Sequence, residues 1–297
     1  MENRNPAKAL METGAKEGQP YEDKPNLQCV CSSSNYLSSW ESAHDARILE
    51  CGWCGLKRTY PVPDSGVSAA IYQDTETTYP IENRIENKDL WRSFAEKVLK
   101  EVNKHRSGGN LLDVGCFIGT LLELAEEQGW NAYGVEINQG ACEHASKNLG
   151  LNVFQGELAS AKLQEHFFDA VICNHVLEHI LDPLTFLIEI RRIMKPDGVL
   201  VIGVPNIDSW IAKYYGDRWY ALALNQHIWH FCPATLESLL ERCGFQILSL
   251  NTDLLWYEYP FNLKGITKKG LFQFLRSIGK GDAILASATV EDRHLQS

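Results

Sequence analysis

The order of apolar and polar positions predicts alternating strands and helices in the central part of the chain. Residues 111–114 form a short apolar run that opens onto glycine, which is typical of a buried strand. Gly115 and Gly119 bracket the following turn, and apolar residues at helical spacing then predict a helix over residues 120–128. A second strand is predicted over residues 132–135. A strand, a glycine turn, a helix and a second strand therefore follow one another.

Similar patterns continue to the end of the chain and predict further strands and amphipathic helices. The strands are predicted over residues 152–154, 168–173, 199–204, 245–250 and 283–288. The helices are predicted over residues 89–103, 139–148, 235–243 and 268–278, with one more that begins at Pro183. Strands that alternate with helices in this way predict an α/β fold with a mainly parallel sheet.

A carboxylate at the tip of the second strand indicates a nucleoside site. Glu136 follows residues 132–135 directly, and such a side chain can accept hydrogen bonds from both hydroxyls of a ribose. Each charge-assisted hydrogen bond of this kind is worth about 1.5–3 kcal/mol. The glycines let the backbone approach a ligand, and the helix N-terminus offers unpaired N–H groups. The dinucleotide fingerprint G-x-G-x-x-G does not fit the spacing, and a plain βαβ unit that binds nothing is the alternative.

The motifs around this turn resemble those of class I S-adenosylmethionine-dependent methyltransferases. The matching segments are Leu-Asp-Val-Gly-Cys at 112–116, with Gly119 after it, and Gly-Val-Glu at 134–136. The resemblance implies a seven-stranded, doubly wound, Rossmann-like sheet that ends in a reversed hairpin. It also implies a cofactor site formed by Asp113, Gly115, Cys116, Gly119, Glu136, Ile137, Glu157, Leu158 and Asn174. Phe117 replaces the middle glycine of the usual Gly-x-Gly-x-Gly turn, and a ring that blocked the cofactor would leave a non-catalytic binding module.

A second family signature follows the strand at 168–173. Val-Leu-Glu-His-Ile-x-Asp-Pro at 176–183 and Lys-Pro-x-Gly at 195–198 are common in the same group of methyltransferases. In the ubiquinone-pathway O-methyltransferases, which this region resembles, Glu-x-x-Glu-His binds a divalent ion. Here His175, Glu178 and His179 occupy those positions, so two of the three ligands are kept.

Residues 205–233 form an insertion rich in aromatic side chains, which we expect to lie as a lid over the carboxyl ends of the strands. Such a lid excludes water and stacks on a planar or sugar-like acceptor, or it only packs a core of its own. Methyl transfer to a hydroxyl or amine benefits from a general base, and histidine is the usual choice. The candidates are His175, His227 and His230, each with a buried structural histidine as the alternative.

Two pairs of cysteines precede the predicted domain and suit tetrahedral zinc. They are Cys29 with Cys31 and, after a loop of nineteen residues, Cys51 with Cys54 in a Cys-x-x-Cys-Gly knuckle. Residues 51–63 resemble the zinc-ribbon leader of a subgroup of bacterial methyltransferases, which implies these four cysteines as the ligands of a structural ion. Four free thiols are the alternative, and His44 could replace one sulfur.

Length, composition and charge set the domain plan and the class of partner. The plan is a disordered tail over residues 1–26, a zinc-ribbon-like module over 27–62, a linker over 63–88 and a methyltransferase domain over 89–297. A net charge of −10 argues against a nucleic-acid substrate. The resemblance to methyltransferases implies O-, N- or C-methylation of a small-molecule or sugar-type acceptor. An RNA or protein methyltransferase that recognises its substrate through the ribbon is the alternative. No apolar run reaches a membrane span and no signal core is present, so we expect a cytosolic protein.

Overall fold

The computed structural model of the chain describes residues 28–41, 46–62, 81–253, 275 and 277–291. The tail predicted over 1–26 and residues 63–80 of the predicted linker lie outside the described residues, as does most of the helix predicted over 268–278. His44, the alternative metal ligand, also lies outside them. The elements below are numbered along the described chain.

Eleven strands are described, and they form two sheets. The strands are β1 (Tyr36–Glu41), β2 (Arg47–Cys51), β3 (Lys57–Tyr60), β4 (Gly109–Val114), β5 (Trp130–Glu136), β6 (Asn152–Gln155), β7 (Phe168–Asn174), β8 (Met194–Pro205), β9 (Trp229–His230), β10 (Phe245–Asp253) and β11 (Ala283–Val290). The seven strands predicted from the apolar pattern all correspond to members of one sheet, β4 to β8 with β10 and β11.

The helices pack on both faces of that sheet or lie above its edge. They are α1 (Ile81–Glu86), α2 (Lys88–Asn103), α3 (Thr120–Glu127), α4 (Gln139–Glu143), α5 (Pro183–Ile193), α6 (Trp210–Tyr215) and α7 (Pro233–Arg242). Helix α1 lies within the segment predicted as a linker, and α4 continues as a π-helical turn over His144–Asn148. None of the helices in the described ranges is long and apolar enough to cross a bilayer.

The order of the seven strands, β10-β11-β8-β7-β4-β5-β6, is that of a doubly wound sheet. Strands β4 to β8 pair in parallel, and β10 and β11 form the reversed hairpin at one edge. The chain leaves β4 toward β5 on one side and later returns to β7 on the other. The topological switch point therefore lies between β4 and β7, where open α/β sheets bind their ligands at the carboxyl ends of the strands. The predicted fold class is confirmed.

Alternate side chains of the central strands fill two apolar layers, one on each face. One layer contains Leu112, Val114, Val171, Cys173, Leu200 and Ile202. The other contains Leu111, Ala170, Ile172, Val199 and Val201. Burial on both faces explains why these strands appear in the sequence as continuous apolar runs rather than as alternating ones.

The second sheet joins the N-terminal module to the lid, which the sequence did not predict. Its order is β1-β2-β3-β9, and β9 belongs to the insertion over residues 205–233. Lys57 pairs with His230 and Arg58 pairs with Trp229 in an antiparallel ladder. Ile48 of β2 also packs among buried apolar side chains of the lid. The module and the lid therefore form one continuous structure.

Candidate functional site

The turn after β4 and the loop after β7 meet at the switch point. Asp113 and Val114 lie in register with Ile172 and Cys173, so both loops leave the sheet at the same edge. Gly115 has a φ of +78°, and a Cβ there would lie 2.5 Å from Cγ2 of Val176. A side chain at position 115 would therefore separate the two loops that frame the crevice.

The second glycine of the turn is also required by contacts within the protein. Gly119 has a φ of +85°, and a Cβ there would lie 2.4 Å from Cδ1 of Leu151. The turn is thus held in shape by its packing against the loops around it. Packing of this kind preorganises a loop for binding.

Phe117 adopts the left-handed backbone that a glycine usually supplies at this position. Its φ is +49°, and its backbone N–H donates a 2.8 Å hydrogen bond to Oε2 of Glu136. The ring lies 5.2 Å from the guanidinium of Arg84, which itself lies 3.2 Å from the ring centre of Trp91. The Phe117 side chain is therefore accommodated by a cation–π contact with helix α1.

Glu136 connects the glycine turn to the end of β5. The carboxylate is buried, with 6% of the residue exposed, and its Oε1 accepts a 2.7 Å hydrogen bond from the backbone N–H of Asn138. Burial raises the pKa of Glu136, and the N–H groups of Asn138 and Phe117 oppose that rise. Each oxygen keeps a further lone pair, so the carboxylate can still accept hydrogen bonds from a diol.

Asp113 places a second buried carboxyl close to Glu136. Burial raises the pKa of Asp113 to about 8, and the negative charge of Glu136 adds to the rise. Two carboxyl groups that oppose each other's ionisation favour a ligand that carries positive charge. S-adenosylmethionine has an ammonium group, a sulfonium group and a ribose diol, so this pair of carboxyls fits it.

The other residues predicted to bind the cofactor lie along the same edge of the sheet. Cys116 and Leu158 are buried, whereas Ile137 and Glu157 are exposed. The backbone N–H of Gly156 donates a 2.8 Å hydrogen bond to the carbonyl of Glu136, which joins the ends of β5 and β6. Asn174 ends β7, and its Oδ1 lies over Gly203, where a Cβ would be only 2.0 Å away.

His175 is the most exposed of the three histidines predicted as a general base. Its side chain is 33% exposed, and Nδ1 lies 3.1 Å from Oε1 of Glu178. The residue has a φ of +57°, and its backbone N–H donates to the carbonyl of Gly203. With Nδ1–H donated to the carboxylate, Nε2 keeps a lone pair for a proton.

Glu178 is a buried carboxylate on which several histidines converge. Its side chain is 1% exposed, and Oε2 has no hydrogen-bond partner among the described residues. Burial alone would raise its pKa, but the hydrogen bond from His175 and the neighbouring imidazoles lower it to about 2. Glu178 therefore remains ionised near neutral pH and orients His175.

His227 and His230 are buried in the lid, with 6% and 4% of each residue exposed. Burial lowers the pKa of each to about 3, so both are neutral at ordinary pH. Nδ1 of His227 donates to the carbonyl of Ala221 at 3.0 Å, and Nε2 of His230 lies 2.9 Å from the hydroxyl of Thr59. These contacts are those of satisfied structural histidines.

The possible metal ligands in this region differ from those suggested by the sequence. One ligand atom each from Glu178, His179 and His227 lies within 4.8 Å of the others. Nδ1 of His179 donates to the carbonyl of Gln226 at 3.2 Å, so Nε2 is the unprotonated nitrogen of the neutral ring. His175, at the first position of the motif, forms a hydrogen bond with Glu178. The third potential ligand is instead His227 of the lid.

The four predicted cysteine ligands lie together in the N-terminal module. Their sulfurs lie within 4.8 Å of one another, with 3.5 Å between Cys29 and Cys54 and 3.4 Å between Cys31 and Cys51. Burial opposes ionisation of Cys51, but the backbone N–H groups of Cys54 and Trp53 lower its pKa to about 7. Sulfurs around tetrahedral zinc lie about 3.8 Å apart, because each Zn–S bond is about 2.3 Å long. The arrangement therefore fits zinc.

Two groups near the site gave no recognisable signal in the sequence. Thr59 contacts His227 and His230 across about 170 residues of chain, and no local pattern marks such a pairing. Arg84 belongs to a polar segment that resembled a linker, so its contact with Phe117 was missed. Both depend on tertiary packing rather than on a motif.

Comparison with known proteins agrees with this geometry. The profile of a methyltransferase domain matches residues 86–250, which is more than half of the chain. A ubiquinone biosynthesis O-methyltransferase of Rickettsia akari is 33% identical over 119 residues, which cover 37% of this chain and 46% of that protein. The chain spans about half the length of such relatives.

Solved structures share the fold at low sequence identity. The S-adenosylmethionine-dependent methyltransferase of Archaeoglobus fulgidus aligns with a TM-score of 0.52 and 19% identity, over 68% of this chain and 94% of that one. The 1,6-didemethyltoxoflavin-N1-methyltransferase of Burkholderia thailandensis, solved with S-adenosylhomocysteine, aligns with a TM-score of 0.54 and 16% identity, over 86% and 99%. The chain belongs to the methyltransferase-domain family, and it has the fold of the class I S-adenosylmethionine-dependent methyltransferases.

Proposed function

We propose that the protein transfers a methyl group from S-adenosylmethionine to a hydroxyl or amine of a small molecule, with His175 as the general base. The observation that carries the proposal is the pair of His175 and Glu178 at the carboxyl end of β7, beside the turn that holds Glu136. The similarity to a ubiquinone biosynthesis O-methyltransferase supports a small acceptor.

Each group in the site has a separate task in this reaction. The bound cofactor supplies an electrophilic methyl group, and the protein contributes alignment, which can be worth about 7–11 kcal/mol. Glu136 and Asp113 bind the ribose and the positive charge. Nε2 of His175 accepts the proton from the acceptor, and Glu178 holds the imidazole in the required tautomer and stabilises its charged form.

The geometry of the ribbon argues against the alternative of RNA recognition. That alternative requires a basic face around Lys57 and Arg58. Arg58 is 6% exposed and lies 4.8 Å from the ring centre of Trp229, and Lys57 forms a 2.8 Å ion pair with Glu50. Arg58 is thus not presented to a phosphate backbone, the charge of Lys57 is balanced by Glu50, and the net charge of −10 also argues against RNA.

Zinc bound by Cys29, Cys31, Cys51 and Cys54 is part of the proposal. Four protein sulfurs leave no open coordination position, so the role of the ion is structural. An equimolar zinc content of the purified protein, lost on treatment with a mercurial reagent, is the expected result.

A second candidate is a divalent cation held by Glu178, His179 and His227. The observation that favours it is the buried Oε2 of Glu178, which has no hydrogen-bond partner among the described residues. Both imidazoles donate Nδ1–H to backbone carbonyls, as metal-bound histidines commonly do. A cation there would organise the loop after β7. A second metal equivalent that disappears in His227→Gln, while the cysteine-bound zinc remains, is the test.

The proposed function is tested first by calorimetric titration with S-adenosylhomocysteine. We expect micromolar affinity, since Phe117 is accommodated by Arg84. Acceptors are then screened with methyl-labelled S-adenosylmethionine, beginning with phenols, amines and nucleotide-linked sugars. Absence of cofactor binding would remove the enzymatic proposal and leave the binding module.

A further inference from the structure

A short stretch of the lid lies between the N-terminal module and the loop that carries the proposed base. This stretch, residues 226–230, is called the strap, and the loop over residues 175–180 is called the base loop. The strap contributes β9 to the sheet of the module. Its Ile228 and Trp229 are buried, with 4% and 2% exposed.

Thr59 of β3 makes three hydrogen bonds to the strap and is itself fully buried. Its backbone N–H donates to the carbonyl of Ile228 at 2.9 Å. Its hydroxyl donates to the carbonyl of His227 at 2.7 Å and lies 2.9 Å from Nε2 of His230. A hydroxyl has one proton, and a carbonyl can only accept. Nε2 of His230 therefore carries the proton and donates to Thr59, which fixes the tautomer of this ring.

The opposite side of the strap is bonded to the base loop. The N–H of Ile228 donates to the carbonyl of Glu178 at 2.8 Å, and the indole N–H of Trp229 donates to the carbonyl of Ile180 at 2.8 Å. The carbonyl of Ile228 thus accepts a hydrogen bond from Thr59, and the backbone N–H of the same residue donates one to Glu178. These backbone hydrogen bonds link Thr59 of the module, through Ile228, to the main chain of Glu178. The side-chain carboxylate of Glu178 in turn orients His175.

We propose that Thr59 is a positioning residue, through which the N-terminal module holds Glu178 and His175 in their working geometry. The module then acts as a support of the acceptor side of the site. This inference rests on the proposed function, in which His175 is the base. It deepens that function by giving the ribbon a task within the reaction.

Thr59→Val tests the proposal, because it keeps the shape of the side chain and the backbone bond to Ile228 but removes the hydroxyl that anchors the strap at His227 and His230. The carbonyl of His227 and Nε2–H of His230 would then be buried without a partner. We expect kcat to fall at least tenfold, with less than a twofold change in the affinity for S-adenosylhomocysteine. Thr59→Ser, which keeps the hydroxyl, is expected to restore kcat to within threefold of the wild type.

Nuclear magnetic resonance of histidine side chains labelled with ¹⁵N supplies a readout that needs no acceptor. Thr59→Val is expected to shift the ring signals of both His230 and His175, and Thr59→Ser to leave those of His175 in place. Signals are assigned with His230→Gln and His175→Gln.

The outcomes separate this inference from the proposed function. Unchanged His175 signals in Thr59→Val overturn the coupling, whatever the activity. An equal loss of kcat and of S-adenosylhomocysteine affinity also overturns it, because it indicates general unfolding. If the wild type transfers no methyl group but the His175 signals shift, the coupling stands and the proposed function fails.

Discussion

The cofactor side of the site and the acceptor side are assembled from very different lengths of chain. On the cofactor side, Asp113, Phe117 and Glu136 lie within 24 residues of one another, and the turn after β4 is hydrogen-bonded to Glu136 at the end of β5. On the acceptor side, Thr59, Glu178 and Ile228 come from three distant segments. The first side depends on local structure, whereas the second depends on a module, a loop and a lid that must pack correctly together. We expect the two sides to respond separately to mutation.

Removal of the cysteine site is expected to have the largest effect on methyl transfer. It should also show most clearly that the acceptor side can fail while the cofactor side still binds. In Cys51→Ser/Cys54→Ser the module loses two of its four sulfurs, so the strap loses its support at β3. Methyl transfer should fall by more than 100-fold, while titration with S-adenosylhomocysteine changes less than threefold. Activity and cofactor affinity are measured on the same preparation, together with its zinc content.

Cys232→Ser serves as the matched control, because Cys232 is a half-buried cysteine at the N-cap of α7 and outside the four-sulfur cluster. Serine is a favoured N-cap residue, so this variant should keep its zinc and its activity. A comparable loss of cofactor affinity in the double variant would show that the two sides are not separate.

His175→Gln removes the proposed general base and leaves the contacts between the N-terminal module and the strap in place. Loss of a general base commonly costs about 10²–10⁴-fold in rate. We expect a fall of that size in kcat, with the affinity for S-adenosylhomocysteine unchanged. His144→Gln, on the π-helical turn after α4, is the control and should keep full activity. A fall of less than threefold in His175→Gln would exclude it as the base.

Glu136→Gln tests the cofactor side. The amide keeps the size of the side chain but replaces one acceptor oxygen by an NH₂ group, which cannot accept from Phe117 or Asn138. The affinity for S-adenosylhomocysteine should weaken by about 2–4 kcal/mol, that is ~30- to ~1000-fold. Glu143→Gln, on an exposed part of α4 away from these bonds, should bind normally. A change of less than threefold in Glu136→Gln would remove Glu136 as the ribose ligand.

The same division explains how much could be predicted from the sequence. The seven strands, Glu136 and the glycine turn follow from short-range patterns, because burial on both faces and tight turns restrict the residue types locally. The four cysteines were found because metal ligands have characteristic spacing. The pairing of Thr59 with His230 could not be predicted, since a two-residue strand such as β9 has too few positions to show a period.

Individual roles within the predicted set also required the tertiary structure. The residue pattern alone did not distinguish His175, His227 and His230 as candidate bases. Burial in the lid distinguishes them, because it keeps His227 and His230 neutral and satisfied, whereas His175 is partly exposed and bonded to Glu178. Obstruction of the turn by Phe117 was an open alternative, and its contact with Arg84 depends on a helix within the predicted linker.

Asp113→Asn is expected to have the smallest effect, and it concerns the stability of the cofactor side rather than the reaction rate. Burial raises the pKa of Asp113 to about 8, above its value of about 4 in the unfolded chain. The folded protein therefore binds this proton more tightly than the unfolded chain does. The stability that protonation contributes is fully present below about pH 4 and is lost as the pH rises toward 8.

Asparagine does not titrate, so the free energy of unfolding of Asp113→Asn should not decline with pH in this way. Between pH 6 and pH 8 the free energy of unfolding of the wild type should fall relative to that of the variant by about 2 kcal/mol, since each pH unit corresponds to about 1.4 kcal/mol. Chemical denaturation of both proteins without cofactor measures the difference. Parallel pH profiles would show that Asp113 is ionised in the free protein, and that its carboxylate does not need a cationic ligand to balance it.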